Sequence, residues 1–152
     1  MHKIMFVCYG NICRSTMAEF LMKDLVKKAG KEKEFIIQSS GTSYEEYGSP
    51  VHRGTRKILD GIGIYSYNDK RAEKLQKSDY SEYDLFLGMD EMNRRDMLRI
   101  FGADPDGKVK LLLDYTKNPR SVADPYWTGD FERTYQDVKE GIEGLFKALI
   151  VK

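Results

Sequence analysis

The first apolar stretch of the chain is Lys3-Ile4-Met5-Phe6-Val7-Cys8, a continuous run of strand length, as expected for a strand buried on both faces of a parallel sheet. A Gly10-Asn11 turn follows it. From Ser15 onward, Met17, Phe20, Leu21, Leu25 and Val26 recur at helical spacing until Gly30 supplies a stop. Phe35-Ile36-Ile37 reads as a second strand, followed by a long loop from Ser39 to Pro50 rich in Gly, Ser and Tyr, and loops of that length commonly carry function. His52 to Gly61 reads as a helix, Ala72 to Lys77 as a short one, and Leu85-Phe86-Leu87 as a third strand. Asp90 to Phe101 has helix-forming composition. After the turn Asp104-Pro105-Asp106-Gly107, Val109 to Leu113 predicts a fourth strand. A loop from Asp114 to Thr128 leads into a last helix, whose stripe Tyr135, Val138, Ile142, Leu145, Phe146 and Leu149 has core spacing.

Strand and helix alternate throughout, so the pattern predicts a three-layer α/β/α fold around a mainly parallel sheet. With 152 residues and 41% hydrophobic content the chain has the size and apolar surface for one domain spanning 1–152. No internal repeat or low-complexity tract interrupts it. The formal charge is only +1, from 25 Lys plus Arg against 24 Asp plus Glu, so no overall field draws the chain to nucleic acid or acidic lipid. Affinity for an anion must then be local. The apolar start is too short for a signal peptide, and no other segment approaches the roughly 18 apolar residues of a membrane helix. A soluble cytoplasmic protein is expected.

Cys8 and Cys13 stand five positions apart and do not resemble a disulfide framework. Without a surrounding pattern, two small buried apolar residues would be the simpler reading. Zinc is not expected, because only His2 and His52 could join the cysteines and neither lies at a ligand spacing. Cys8 and Arg14 form Cys-x5-Arg, a spacing that two cysteines and nine arginines in 152 residues produce by chance in about one chain in eight. Context carries the reading. The motif begins where an apolar strand ends, contains Gly10-Asn11 where a tight loop needs left-handed backbone angles, and runs directly into a helix. Such a loop turns backbone N–H groups inward at a helix N-terminus and makes an oxyanion cradle. It sits at the carboxyl end of a strand, where ligands bind in sheets of this class.

Each residue type in the cradle has a physical task. Cys8 is expected as a thiolate nucleophile, since inward N–H groups, the helix end and the Arg14 charge all favour the anion. Arg14 offers a planar fork that holds two phosphoryl oxygens at once. Ser15 is either the helix N-cap or a hydroxyl donor to the Cys8 sulfur. Asn11 either locks the loop through its side chain or is a plain turn residue. Cys13 packs in the working protein, with a Cys8–Cys13 disulfide as an oxidised form. A nucleotide-binding P-loop is excluded in its usual form, because Gly-x4-Gly-Lys-Ser/Thr does not occur.

Expulsion of an alkoxide or phenoxide by a thiolate requires a proton donor. Among 24 carboxylates, Asp124 stands out, because it lies in the loop after the fourth strand, before Pro125 and the aromatic pair Tyr126-Trp127. Asp114 and Asp130 are its rivals. The aromatics either form a wall against a substrate ring or fold the loop back into the core.

The residues Cys8-Tyr9-Gly10-Asn11-Ile12-Cys13-Arg14-Ser15, then Met17-Ala18-Glu19, Gly88-Met89-Asp90 and Asp124-Pro125-Tyr126, closely resemble the low-molecular-weight protein tyrosine phosphatases, essentially end to end. The resemblance implies a four-stranded parallel sheet flanked by helices, with the phosphate loop between first strand and first helix. It implies a phosphocysteine intermediate on Cys8, phosphate binding by Arg14 and the loop, and Asp124 acting as acid and then base. Asn11, Ser15 and Ser39 would form the network that shapes the loop. No metal or other cofactor would be required, and the partner would be a tyrosine-phosphorylated protein met by a monomer.

Departures from the family pattern bear on specificity. Thr16 stands where a proline is usual, which is tolerable because proline there mainly presets the helix start. Tyr9 lies at the pocket rim in place of a smaller or aliphatic residue. Tyr126-Trp127 replaces a tyrosine pair, and Glu45, with Tyr44 and Tyr47 nearby, replaces a frequent aromatic wall residue. Two relatives on the same fold are weighed against it. Thiol-dependent arsenate reductase needs relay cysteines, and none follows Cys13. Protein arginine phosphatases typically carry Thr where Ile12 stands, so Ile12 favours phosphotyrosine. An inactive phosphate-binding adaptor would keep the cradle without the acid.

Overall fold

The computed structural model describes residues 1–150. A parallel sheet of β1 (His2–Cys8), β2 (Phe35–Gly41), β3 (Leu85–Gly88) and β4 (Val109–Leu111) runs in the order β2-β1-β3-β4. Helices α1 (Arg14–Lys28), α2 (Arg53–Gly61), α3 (Asp79–Glu82), α4 (Glu91–Phe101), α5 (Pro125–Thr128) and α6 (Phe131–Ile150) connect and cover it. The expected three-layer α/β/α class with a four-stranded parallel sheet is what the chain adopts. β1 has β2 on one side and β3 on the other, so the chain winds one way from β1 and then the other. The strand order reverses at the carboxyl end of β1, which is where Cys8 lies.

The pleat of β1 explains why its apolar run is continuous. Ile4, Phe6 and Cys8 face a core shared with Met17 and Met22 of α1 and Val138, Ile142 and Leu145 of α6. Met5 and Val7 face the opposite core, with Phe86, Val109, and Met97 and Phe101 of α4. Successive side chains of a strand point to opposite faces, so a strand buried on both faces has no polar position to spare. Each fully buried side chain of this size contributes about 1.5–3 kcal/mol.

Three elements differ from the sequence expectation. The second strand continues past Ile37 to Gly41, so Ser39 stands on β2 rather than in the following loop. Ala72 to Lys77 is not helical. It runs extended beside the end of β2, with Gly41 N–H donating to Glu73 O (2.7 Å) and Leu75 N–H to Gly41 O (2.8 Å). Ala72 and Leu75, both buried, imitate helical spacing, but unpaired backbone groups on the sheet edge capture the segment. The fourth strand stops at Leu111, and Leu112–Tyr115 forms a 3-10 turn, because Leu112 and Leu113 are buried in the same core and consecutive strand residues would face opposite ones.

That turn packs closely on α6. A Cβ on Gly141 would come within 2.5 Å of Leu112, and one on Gly144 would overlap the carbonyl oxygen of Tyr115. Gly144→Ala is therefore expected to destabilise the chain by about 1–3 kcal/mol, despite alanine's better helix propensity. Gly61→Ala, at an open position in α2, is expected to stabilise it by about 0.4–1 kcal/mol. Urea midpoints of the two variants moving in the same direction would contradict this packing.

Candidate active site

The phosphate loop leaves β1 at Cys8 and enters α1 at Arg14, with Cys13 as the N-cap residue. The first helical hydrogen bond runs from Met17 N to Cys13 O (3.0 Å), so the amides before it have no acceptor within the helix and belong to the loop. Asn11 alone among the non-glycine residues described has positive φ, at 59°. The left-handed turn thus falls on Asn11 and not on Gly10. Asparagine tolerates that region better than most residues.

Asn11 repays its conformation through both ends of its amide. Its Oδ1 accepts the Glu73 N–H (2.9 Å), and its Nδ2 donates to Ser15 Oγ (2.8 Å) and Ser39 Oγ (2.9 Å). The backbone donor at Glu73 fixes which end is oxygen. Ser15 Oγ, already accepting from Asn11, lies 2.9 Å from Cys8 Sγ and has its proton free for the sulfur. Asn11 N–H adds a second donor to Cys8 Sγ at 3.3 Å. Ser15 is therefore the hydroxyl partner of the sulfur and not the helix cap, and Asn11 is a lock and not a plain turn residue.

The network continues to a carboxylate that is legible in sequence only as part of Met17-Ala18-Glu19. Ser39 Oγ donates to Glu19 Oε1 (2.5 Å), and buried Glu19 is neutralised by Lys23 (2.6 Å) and Lys70 (3.3 Å). Lys70 Nζ also donates to the Ser39 carbonyl (2.8 Å). A buried carboxylate persists only when paired in this way. The signal for Glu19 was a charge among Met17, Ala18 and Phe20 on the face that α1 buries.

Arg14 is nearly buried, with 5% of its side chain exposed, and it is held by two carboxylates. Nη1 meets Asp90 Oδ2 (2.9 Å) and Val122 O (3.2 Å), while Nη2 lies 3.3 Å from Asp124 Oδ2. Asp90 also caps α4 by accepting from Asn93 N (2.9 Å), and Asn93 Oδ1 accepts from Asp90 N (3.1 Å). Asp90 was legible in sequence only as part of Gly88-Met89-Asp90. Asp124 is in turn the N-cap of α5, with Oδ1 accepting from Tyr126 N (3.0 Å).

Of the two rival carboxylates, Asp114 caps the 3-10 turn through Leu111 N (3.2 Å), and Asp130 accepts from Arg133 N (3.0 Å) at the start of α6. Both are occupied with local structure away from Arg14. Cys13 is a free thiol like Cys8. Burial first, and then the neighbouring Cys8 and Asp124 charges, push the Cys13 thiol up to about 12, so at neutral pH it is a protonated packing group. Tyr9, Tyr126 and Trp127 are exposed, and Tyr126 packs edge-on to Trp127 at 4.9 Å between centroids. The pair stands on the surface within a turn of Asp124 and not in the core. Gly10 and Ile12 complete the loop, with Ile12 O accepting from His52 N (2.9 Å).

Among the described residues no three His, Cys, Asp or Glu side chains gather as a metal site, and no helix is long and apolar enough to cross a membrane. The fold and site together define an α/β protein with a Cys-x5-Arg loop between its first strand and first helix and an aspartate brought to it from far downstream. Residues 3–152 match the family model described as low molecular weight phosphotyrosine protein phosphatase, and the chain belongs to that family. It is 36% identical over 151 residues to the low molecular weight protein-tyrosine-phosphatase YfkJ of Bacillus subtilis, covering 98% of this chain and 96% of that protein. The crystal structure of YfkJ superposes with a TM-score of 0.94, covering 98% of this chain and 94% of that one. SP-PTP, a low molecular weight protein tyrosine phosphatase from Streptococcus pyogenes, is 36% identical with a TM-score of 0.89, covering 99% of this chain and 94% of that one.

One residue beneath the loop was invisible in the sequence. A Cβ on Gly41 would lie 2.6 Å from Tyr9 O, 3.1 Å from Gly10 C and 3.2 Å from Asn11 N. Backbone cannot yield as a flexible side chain does, so Gly41→Ala must lift the loop. Its kcat/KM for an aryl phosphate is expected to fall by about 10²-fold while the fold, monitored by circular dichroism, is retained. Unchanged kinetics would mean that the loop does not rest on Gly41.

Proposed function

We propose that the chain is a protein-tyrosine phosphatase that hydrolyses phosphotyrosine in proteins through a phosphocysteine on Cys8. The observation that carries this is the Cys8 sulfur held 2.9 Å from Ser15 Oγ and 3.3 Å from Asn11 N–H, at the start of the loop whose Arg14 also meets Asp124. Family membership supports the same reading.

The phosphoryl oxygens take the place now filled by carboxylates on the Arg14 fork, and the loop amides bind the rest. The Cys8 thiolate attacks phosphorus and the bond from phosphorus to the tyrosyl oxygen breaks. Asp124 gives that oxygen a proton as it leaves. Water then attacks the phosphocysteine, Asp124 takes a proton from it, and the S–P bond breaks to release inorganic phosphate and the thiolate. Ser15, with its hydroxyl proton directed at sulfur, stabilises Cys8 as the leaving group of this second step. Tyr9, Tyr126 and Trp127 provide aromatic surface around the entrance, suited to a phenyl ring. Every one of these groups comes from a single chain, which supports action as a monomer, and two free thiols suit the cytoplasm.

Cys8→Ser is expected to retain vanadate or phosphate binding and to lose turnover of phosphotyrosine peptides; normal hydrolysis by this variant would falsify the assignment of the nucleophile. Assays on phosphoserine and phosphoarginine peptides should give much lower kcat/KM than phosphotyrosine, and the opposite ranking would transfer the activity to another ester or amide. Asp124→Asn is expected to slow phosphotyrosine cleavage by about 10²–10⁴-fold, with a smaller effect on esters of acidic phenols. Equal losses on both kinds of ester would point to a different acid.

A further inference from the structure

The buried face of α6 is Thr134, Asp137, Val138, Gly141, Ile142 and Leu145. Two polar residues interrupt it near its N-terminal end. Burying a carboxylate is costly unless its oxygens are paired, and aliphatic side chains would serve the packing of the helix as well. Thr134 and Asp137 are three residues apart, hence on one side of the helix, and both reach the same residue. Asp137 Oδ2 accepts the N–H of Ala123 (2.9 Å), and Thr134 Oγ1 donates to the carbonyl of Ala123 (2.7 Å). Ala123 is the residue before Asp124.

The residue before that is held at both ends as well. Val122 N–H donates to Met89 O (2.8 Å), and Val122 O accepts from Arg14 Nη1 (3.2 Å). Arg120 orients the other oxygen of Asp137: its Nη2 lies 2.8 Å from Asp137 Oδ1 and 2.9 Å from Glu140 Oε1. The segment from 116 to 124 has no regular secondary structure, so on its upstream side Asp124 is held by these bonds, while downstream it caps α5 and its carboxyl meets Arg14. Hydrogen bonds to an ionised acceptor are shorter and roughly twice as strong as neutral ones, which suits a fixture that must not drift.

We infer that Asp137 and Thr134, with Arg120 orienting Asp137, are positioning residues for proton transfer: they clamp Ala123 and thereby aim the Asp124 carboxyl at the leaving oxygen. The inference rests on the reading of Asp124 as the acid. It places part of the catalytic geometry on a helix that touches no substrate. It also accounts for two polar side chains buried in an apolar interface.

The test uses Asp137→Asn and Thr134→Val. Asparagine offers one side-chain oxygen where Ala123 N–H and Arg120 each engage a different one, and valine keeps the shape of threonine without the hydroxyl. In both variants kcat/KM for phenyl phosphate is expected to fall about tenfold or more, since small misplacements at a reacting centre are worth up to about 10². For 2,4-dinitrophenyl phosphate, whose leaving group needs no proton, the fall is expected to stay under about twofold, with vanadate inhibition unchanged. In an Asp124→Asn background the same substitutions should cost nothing further, because residues acting through one group do not add. Equal losses on both esters, weakened vanadate binding, or an undiminished additional loss in the Asp124→Asn background would each reduce Asp137 and Thr134 to structural residues and overturn the inference. So would unchanged kinetics in both variants. Thr134→Val, the milder change, carries the test if Asp137→Asn does not fold. Failure of the unaltered chain to hydrolyse either ester would instead overturn the proposed function.

Discussion

Everything at the site depends on how the Asn11 amide is used. One side chain joins the Cys8 loop, through Ser15, to the end of β2, through Ser39, and to the extended segment after it, through Glu73. The left-handed backbone at Asn11 costs free energy for a residue with a Cβ, and the three hydrogen bonds of its side chain offset that cost. Buried polar networks are favourable only when each member is satisfied. Here the chain of donors closes at Glu19, whose charge is met by Lys23 and Lys70. Removing any one member would leave a buried polar group without a partner, so the network is held together more firmly than a list of its pairs suggests.

Charge in the site is arranged as a cation between carboxylates. Arg14 comes from the start of α1, Asp90 from the turn between β3 and α4, and Asp124 from the long connection before α5. The parallel sheet makes this meeting possible, because all its strands end on the same side and the loops that follow them converge. With Nη1 of Arg14 also donating to the Val122 carbonyl, the guanidinium is buried without being isolated. Its charge is met within the fold, as a buried charge requires.

Much of this was legible in the sequence, for identifiable reasons. The strand ending at Cys8, the helix beginning near Ser15 and the last helix follow from local periodicity, and Cys8 and Arg14 from residue chemistry set against those elements, whereas Asn11, Ser15 and Asp124 keep alternatives that only the family resemblance narrows. What escaped depends on register between strands distant in sequence. Gly41 matters because β2 pairs Gly41 with Cys8, and no local pattern marks it. Glu19 and Asp137 look like surface charges until the faces of α1 and α6 are known. Ala72 to Lys77 reads as helix because Ala72 and Leu75 have helical spacing, whereas the sheet edge beside Gly41 decides its conformation. The start of α1 at Arg14, with Cys13 as its N-cap, removes the capping reading of Ser15.

Asp124 also caps the short helix that carries Tyr126 and Trp127. Its carboxyl and the two exposed rings therefore share one turn of backbone, which starts from the residue held at both ends, Ala123. On the proposed reading, the surface that would meet a substrate ring and the group that would protonate its oxygen are carried by the same turn, so a substitution that alters one alters the other.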